Sequence, residues 1–167
     1  MMELIVVRHA IACESDPGRW KIDCTRPLTA EGRRRFRRAA AGLGTLVGTP
    51  DLILTSPLLR AVETAEILEK SAGWPAATPC PELEPECALF QTLQRLRAER
   101  RGRVAVVGHE PHLGEFVGAC IAGEDTQAGI EFKKGGVAIL RFGRQLKFGG
   151  ATLVALLPPR ALRKARP

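Results

Sequence analysis

The sequence predicts an α/β domain: a mixed, mainly parallel sheet with helices on both faces and a C-terminal β-hairpin. Three observations carry that reading. Apolar runs rich in β-branched residues recur at 3–8, 51–56 and 103–110, each the length of a buried strand. Between them lie stretches whose apolar residues fall three and four apart, the spacing of an amphipathic helix. The last two apolar runs, 136–142 and 151–157, are joined by a glycine-rich stretch instead of a helix, as in a hairpin. Strands alternating with helices form a parallel sheet covered on both faces, and the hairpin makes it mixed.

Each element follows from its residues. "ELIVVR" (3–8) is the first strand. Thr29 caps a helix in which Phe36, Ala39, Ala40, Leu43 and Val47 share one face; Gly48 and Pro50 lie beyond its end. "DLILTS" (51–56) is the second strand, and Pro57 suits the first turn of the helix that follows, where a missing N–H costs nothing. Leu58, Ala61, Ala65, Leu68 and Ala72 form that helix's buried face, and Gly73 and Pro75 close it. "ATPCPELEP" (77–85) reads as extended, with room for a short edge strand. A helix over 86–101 buries Leu89, Leu93 and Leu96. "RVAVVGHE" (103–110) is the third strand, followed by a helix marked by Leu113, Phe116, Val117, Cys120 and Ile121.

Composition bounds the class. With 167 residues, 45% hydrophobic and 26% charged, the chain is expected to form one globular domain over 1–158 with a basic tail at 159–167. The tail "RALRKARP" reads as a frayed end. No apolar run reaches membrane-spanning length, and residues 1–3 lead into a strand without a signal-peptide pattern. Five cysteines, an odd number without a C-x-x-C pair, argue for reduced thiols rather than disulfides or a zinc ribbon. A cytoplasmic location is expected. The formal net charge of +7 suggests anionic partners, yet "RRRFRR" (33–38) fits a solvated helix face. With 5% aromatics and no tyrosine, a stacking platform for nucleic acid is not expected.

In such sheets ligands bind beyond the carboxyl ends of the strands, and there the polar residues converge. The first strand ends in Arg8 and His9. The second leads through "TSPLLRA" to Arg60. The third ends in "GHEPH", with His109. Two guanidiniums offer forked donors to a tetrahedral dianion. Of two imidazoles bracketing phosphorus, one can attack while the other donates to an oxygen as charge builds. No phosphate-binding glycine loop and no metal-ligand spacing appears, so a pocket without metal or cofactor is the economical reading.

"RHA" after the first strand, "SPLLRAVETAE" and "VGHEPHL" resemble the histidine phosphatase superfamily across nearly the whole chain. "RPLTAEG" (26–32) and the short length resemble its SixA-like phosphohistidine phosphatase branch. Ala10 stands where the superfamily usually has glycine. The resemblance implies His9 as nucleophile, Arg8 and Arg60 as phosphate ligands, and His109 as the second histidine. It implies a two-step phosphatase with a phosphohistidine enzyme intermediate and no cofactor, acting on protein phosphohistidine and releasing inorganic phosphate.

Other residues have two readings. Arg26 binds phosphate at the entrance or ends a structural turn. Glu82, Glu84 and Asp16 are candidates for an acid that protonates a leaving alcohol, against a reading as surface carboxylates. His112 reads as a surface or capping residue. Glu63 and Thr64 are expected to orient Arg60 or to pack. Lys133 and Lys134 add positive potential or form a solvated turn. Trp20 and Trp74 read as loop residues on a rim. The competing functions are a phosphatase of small phosphoesters and a non-catalytic phosphate or polyphosphate binder. A membrane partner is not expected, and a nucleic-acid partner rests on charge alone.

Overall fold

In the computed structural model, which describes residues 1–16, 23–124 and 128–165, the chain forms six strands: β1 (Met2–Arg8), β2 (Leu52–Thr55), β3 (Ala77–Pro79), β4 (Arg103–Gly108), β5 (Val137–Phe142) and β6 (Ala151–Leu157). Helices α1 (Ala30–Leu46), α2 (Leu59–Ala72), α3 (Leu89–Arg97), α4 (His112–Ala122) and the short α5 (Pro159–Leu162) connect or follow them. The sheet order is β3-β2-β4-β1-β5-β6. The first four are parallel; β5 runs antiparallel to β1, and β6 antiparallel to β5. The predicted class is therefore the observed one, including the edge strand at 77–79 and the terminal hairpin.

The central strands are buried on both faces, so they read as continuous apolar runs. Within β1, Ile5 and Val7 join the core beneath α1 and α2, while Leu4 and Val6 join the core beneath α3 and α4. β4 divides the same way, with Ala105 and Val107 on one side and Val104 and Val106 on the other. This strict two-residue alternation fixes the register, because a slip of one residue would exchange the two cores. In that register Arg8 lies opposite Gly108, and Thr55 opposite Val107.

Local chemistry sets the helix starts. The Thr29 side chain accepts the Gly32 N–H at 2.8 Å, capping α1 as expected. α2 closes on Gly73, whose φ of 69° is the left-handed conformation that favours glycine. Two boundaries differ from expectation. Pro57 lies outside α2, before the N-cap Leu58, because residues 56–58 are spent on the turn out of β2. α3 spans Leu89–Arg97 rather than 86–101: a turn made by the Cys87 N–H bonding the Glu84 carbonyl precedes it, and the chain leaves it at Ala98.

Two further expectations are corrected. Trp74 is not on a rim; it is 3% exposed within the α1–α2 core. Trp20 lies outside the described residues. The tail is not frayed over 159–165: Leu162 is fully buried in the same core, and the Gly42 position leaves room for its carbonyl, since a Cβ there would sit 1.9 Å from the Leu162 oxygen. A leucine buried in a sequence of arginines is easily overlooked, because the surrounding charge masks a single anchoring residue. Leu162→Ala is expected to lower unfolding stability by about 2–4 kcal/mol, the usual cost of a core leucine truncation. Urea denaturation measures it; a change below about 0.5 kcal/mol would return the tail to a frayed state.

Candidate active site

The strand register continues one residue past the ends of the strands. The His9 N–H bonds the Gly108 carbonyl at 2.9 Å, and the Ser56 N–H bonds the Val107 carbonyl at 2.9 Å. His9, His109 and Ser56 are thereby set abreast at one edge of the sheet. The two imidazole rings lie 5.1 Å apart between centroids, tilted by 50°. His9 is 6% exposed, His109 1% and Arg60 4%. The four residues expected from the strand ends are brought together.

Each ring has a defined orientation. His9 Nδ1 lies 2.7 Å from the Ala10 carbonyl, a partner that can only accept, so Nδ1 carries the proton and Nε2 keeps its lone pair. His109 Nε2 lies 2.8 Å from the Ser56 hydroxyl. That hydroxyl receives the Leu58 N–H at 3.4 Å on one of its two lone pairs and can give its own proton to Nε2. His109 Nδ1 then bears the ring hydrogen, and it is buried without a hydrogen-bond partner.

The arginines are held from behind. Arg8 Nη1 donates to the Phe132 carbonyl. The N–H of Phe132 in turn donates to Glu110 at 2.8 Å, so the backbone of this one residue is held between a carboxylate and a guanidinium. Arg60 Nη1 meets the Asp23 carboxylate at 2.9 Å and the Asp23 carbonyl at 3.1 Å. Thr64 takes the Ala10 N–H at 3.0 Å and gives its proton to the Arg60 carbonyl at 2.6 Å, tying α2 to the residue after His9. The Nε atoms of both Arg8 and Arg60 are buried without partners. Three buried nitrogens therefore remain unsatisfied, an arrangement whose cost an anion offsets.

Burial, followed by the charges of Arg60, Arg8 and Arg26, pulls His9 down to about 3 despite its bond to Ala10. Burial, Arg60 and His9 itself pull His109 down to about 2. Both imidazoles are neutral near pH 7, the state in which a nitrogen can attack.

The remaining candidates separate. Arg26 donates to Asp23 at 2.8 Å and to the Cys13 carbonyl at 2.8 Å, bonds that tie the turn together, and its charge acts on both histidines. Glu63 accepts the Leu28 N–H at 2.7 Å and pairs with Arg33; it anchors the start of α1 rather than orienting Arg60. Glu82 sits on a 3₁₀ turn (Pro81–Leu83) whose Leu83 carbonyl abuts Gly108 at the end of β4. The Glu82 carboxylate takes the Cys80 thiol at 3.3 Å, and neither it nor the Glu84 carboxylate bonds His9, His109, Arg8 or Arg60. Lys133 pairs with Glu131 at 3.2 Å.

His112 corrects its expectation: it is 1% exposed. Thr92 gives its single hydroxyl proton to the Glu82 carbonyl at 2.6 Å, so His112 Nε2, 3.0 Å away, donates to it. His112 thus fastens α4 and α3 to the turn bearing Glu82. A histidine four positions past a strand end, at the start of a helix, looks exposed in sequence, and the packing of α3 covers it. The sequence reading also passed over Ser56, Asp23 and Glu110. Ser56 was legible as the first residue of the "SPLLRA" match; Asp23 and Glu110 act through tertiary partners that no local spacing reveals.

A cleft of about 610 Å³ lies beside α4, bordered by Glu110, Glu115, Glu124 and Glu131. Four carboxylates make it a poor seat for phosphate.

A parallel sheet presenting two facing neutral imidazoles and two anchored guanidiniums at its carboxyl edge is the frame of a phosphoryl-handling enzyme, and comparison with known proteins agrees. The family described as the histidine phosphatase superfamily (branch 1) matches residues 4–84. An uncharacterized protein of Picosynechococcus is 38% identical over 145 residues, covering 85% of this chain and 86% of its own. The protein histidine phosphatase SixA complexed with tungstate superposes with a TM-score of 0.82 at 28% identity, over 96% of this chain and 99% of that one. The α-ribazole phosphatase from Shigella flexneri shares the fold, with a TM-score of 0.72 at 17% identity over 95% and 97% of the two chains. The chain belongs to the histidine phosphatase superfamily. It is a phosphatase, SixA-like in fold and extent. Among the described residues no helix is long and apolar enough to cross a membrane.

The depressed histidines make stability depend on pH in a definite direction. The unfolded chain takes up protons at these positions as pH falls through about 6.5, whereas folded His9 resists until about 3. Between those limits the unfolded state binds more protons, so acidification destabilises the fold. Thermal melts at pH 7, 6 and 5 are expected to fall progressively, and His109→Asn to flatten the slope. An unchanged slope in that variant would show that His109 titrates normally.

Proposed function

We propose that this phosphatase is metal-independent, uses His9 as its nucleophile, and acts on phosphohistidine carried by a protein. The observation that supports this best is the bond from His9 Nδ1 to the Ala10 carbonyl, which leaves Nε2 unprotonated and aimed by the backbone. The unsatisfied nitrogens of Arg8, Arg60 and His109 supply the donors for three phosphoryl oxygens. The SixA relative was solved with tungstate, an oxyanion of similar shape to phosphate.

In the first step the Nε2 lone pair of His9 attacks phosphorus in line with the leaving nitrogen. A new P–N bond forms as the substrate's P–N bond breaks, and the departing imidazole takes a proton from solvent. In the second step water attacks phosphorus, the bond to Nε2 breaks, and inorganic phosphate leaves. Arg8 and Arg60 hold the equatorial oxygens, and His109 Nδ1 donates to one of them as charge shifts. Positioning and charge stabilisation carry most of the rate in phosphoryl transfer. The positive charge that a metal ion would bring is already provided by the guanidiniums, so EDTA is expected to leave activity intact.

The substrate class follows from the leaving group. An alkoxide needs a proton in the transition state, and a well-placed acid is typically worth about 10²–10⁴ in rate. Glu82 and Glu84 make no bond to the catalytic four, so phosphohistidine, which leaves as an imidazole, suits the site better. The second reading, small phosphoesters, is favoured by one observation: the turn carrying Glu82 lies against the end of β4 beside His109.

Two experiments test the proposal. kcat/KM at neutral pH should favour a phosphohistidine peptide over an alkyl phosphate by about 10²-fold or more, and Glu82→Gln or Glu84→Gln should change neither substantially. Ester turnover equal to that of phosphohistidine, abolished by one of those substitutions, would favour the small-phosphoester reading. His9→Ala should remove turnover with the fold intact, and rapidly quenched wild-type protein should carry label that is lost in acid and kept in alkali. Acid-stable label would assign the phosphoryl group to another residue.

A further inference from the structure

The basic residues of the chain are not spread evenly over its surface. A notch of about 140 Å³ opens beside Ala10 and Ile11, the two residues that follow His9, and Arg35, Lys134 and Arg163 line it. These three cations come from three separate elements. Arg35 stands on the first turns of α1, Lys134 on the turn leading into β5, and Arg163 at the end of α5.

The topology explains why they meet at this point. β5 runs antiparallel to β1 with Val137 opposite Val7, so the 133–136 turn lies beyond the carboxyl end of β1. Leu157 of β6 pairs with Val137, so α5 begins at the same edge. The Ile11 carbonyl receives the Thr29 N–H at 3.0 Å, which brings the start of α1 there too. Two backbone bonds lock the turn to the catalytic strand: Gly135 N–H to the His9 carbonyl at 3.0 Å, and Arg8 N–H to the Gly136 carbonyl at 3.0 Å. Gly135 has a φ of 78°, and a Cβ there would meet the Phe36 ring at 3.0 Å, so glycine lets the turn seat against α1. The notch is therefore a fixed neighbour of His9, on the β5–β6 side, while Asp23 and Arg60 occupy the β2 side.

Its charge is largely uncompensated. Glu31 pairs with Arg35 at 2.5 Å but also with Arg34 at 2.7 Å, so one carboxylate serves two guanidiniums. No ion pair is recorded for the Lys134 or Arg163 side chain among the described residues. The volume matches a few water molecules at about 30 Å³ each, the size of a carboxylate with its hydration, and too small for a nucleotide or a sugar.

We infer that this notch is a second anion site, which takes an acidic side chain of the phosphorylated protein while its phosphohistidine occupies the site at His9. The inference rests on the protein-phosphohistidine reading for its substrate, and it names the feature of the partner that is recognised: a carboxylate near the modified histidine. Charge complementarity of this kind acts on encounter and orientation, and salt screens it.

The test uses pairs of phosphopeptides identical except that Asp and Glu flanking the phosphorylated residue are replaced by Asn and Gln. Each pair is made with phosphohistidine and with phosphoserine, and an aryl phosphate too small to reach the notch is the reference. Wild-type kcat/KM is expected to be about three- to tenfold higher for the acidic peptide at low ionic strength, with the ratio shrinking toward one at 0.5 M salt, roughly a 4 Å Debye length. The double variant Lys134→Gln/Arg163→Gln should lose the ratio and keep wild-type turnover of the aryl phosphate. Equal turnover of acidic and neutral peptides by the wild type would overturn the inference, as would a ratio that survives in the variant or an equal loss on the aryl phosphate. If phosphoserine peptides prove the better substrates, the phosphohistidine reading fails, while the acidic-to-neutral ratio read on them still decides the notch.

Discussion

The position of β4 between β1 and β2 is the constraint on which the site depends. Only a strand with parallel neighbours on both sides can align three strand ends at one edge, and the backbone bonds of His9 to Gly108 and of Ser56 to Val107 carry that alignment one residue further. The separation of the two imidazoles is then a consequence of inter-strand spacing, which is set by peptide hydrogen bonds. The alternation that divides Ile5 and Val7 from Leu4 and Val6 between two cores protects the same register. The contacts that hold the sheet therefore also set the distance between the two rings.

Around that frame the charges are arranged so that cations are fixed and imidazoles stay neutral. Among the described residues, carboxylates bond the guanidiniums and the backbone and not the two histidines: Asp23 bonds Arg60 and Arg26, Glu63 bonds Arg33 and the Leu28 amide, and Glu110 bonds the Phe132 amide behind Arg8. A carboxylate bonded to His9 Nδ1 would favour the imidazolium. A peptide carbonyl orients the ring with far less of that effect, and burial overrides it. Asp23 is itself held below the ordinary carboxylate range by its bonds to Arg26 and by Arg60, against the opposing effect of its burial, so the bridge between the two arginines persists through mildly acid conditions.

Much of this was legible in the sequence, for identifiable reasons. β1, β2 and β4 are buried on both faces and announce themselves as apolar runs, and the residues that interrupt them, Arg8, His9 and His109, stand out against that background. Thr29 and Gly73 mark helix ends because their chemistry is local. What was not legible depends on partners distant in sequence. Leu162 becomes a core residue only because Gly42 lets α5 approach α1. Trp74 is interior because it packs into the cluster that α1 and α2 share. His112 looks like a surface residue until Thr92 of α3 covers it. Asp23 and Glu110 touch the site through residues 22 to 37 positions away or through backbone groups, a relation that no spacing rule encodes.

The sheet order also dictates a timetable. β1 is the first strand to be synthesised, yet its two neighbours, β4 and β5, end at residues 108 and 142. At about 5–20 residues per second, roughly 5–20 s pass between completion of β1 and completion of β4, its first partner. Until then β1, with His9 just past its end, has no partner strand in the sheet. The nascent chain must keep "LIVV" from pairing elsewhere, and the long-range pairing that finally captures it belongs to the slow class of folding events.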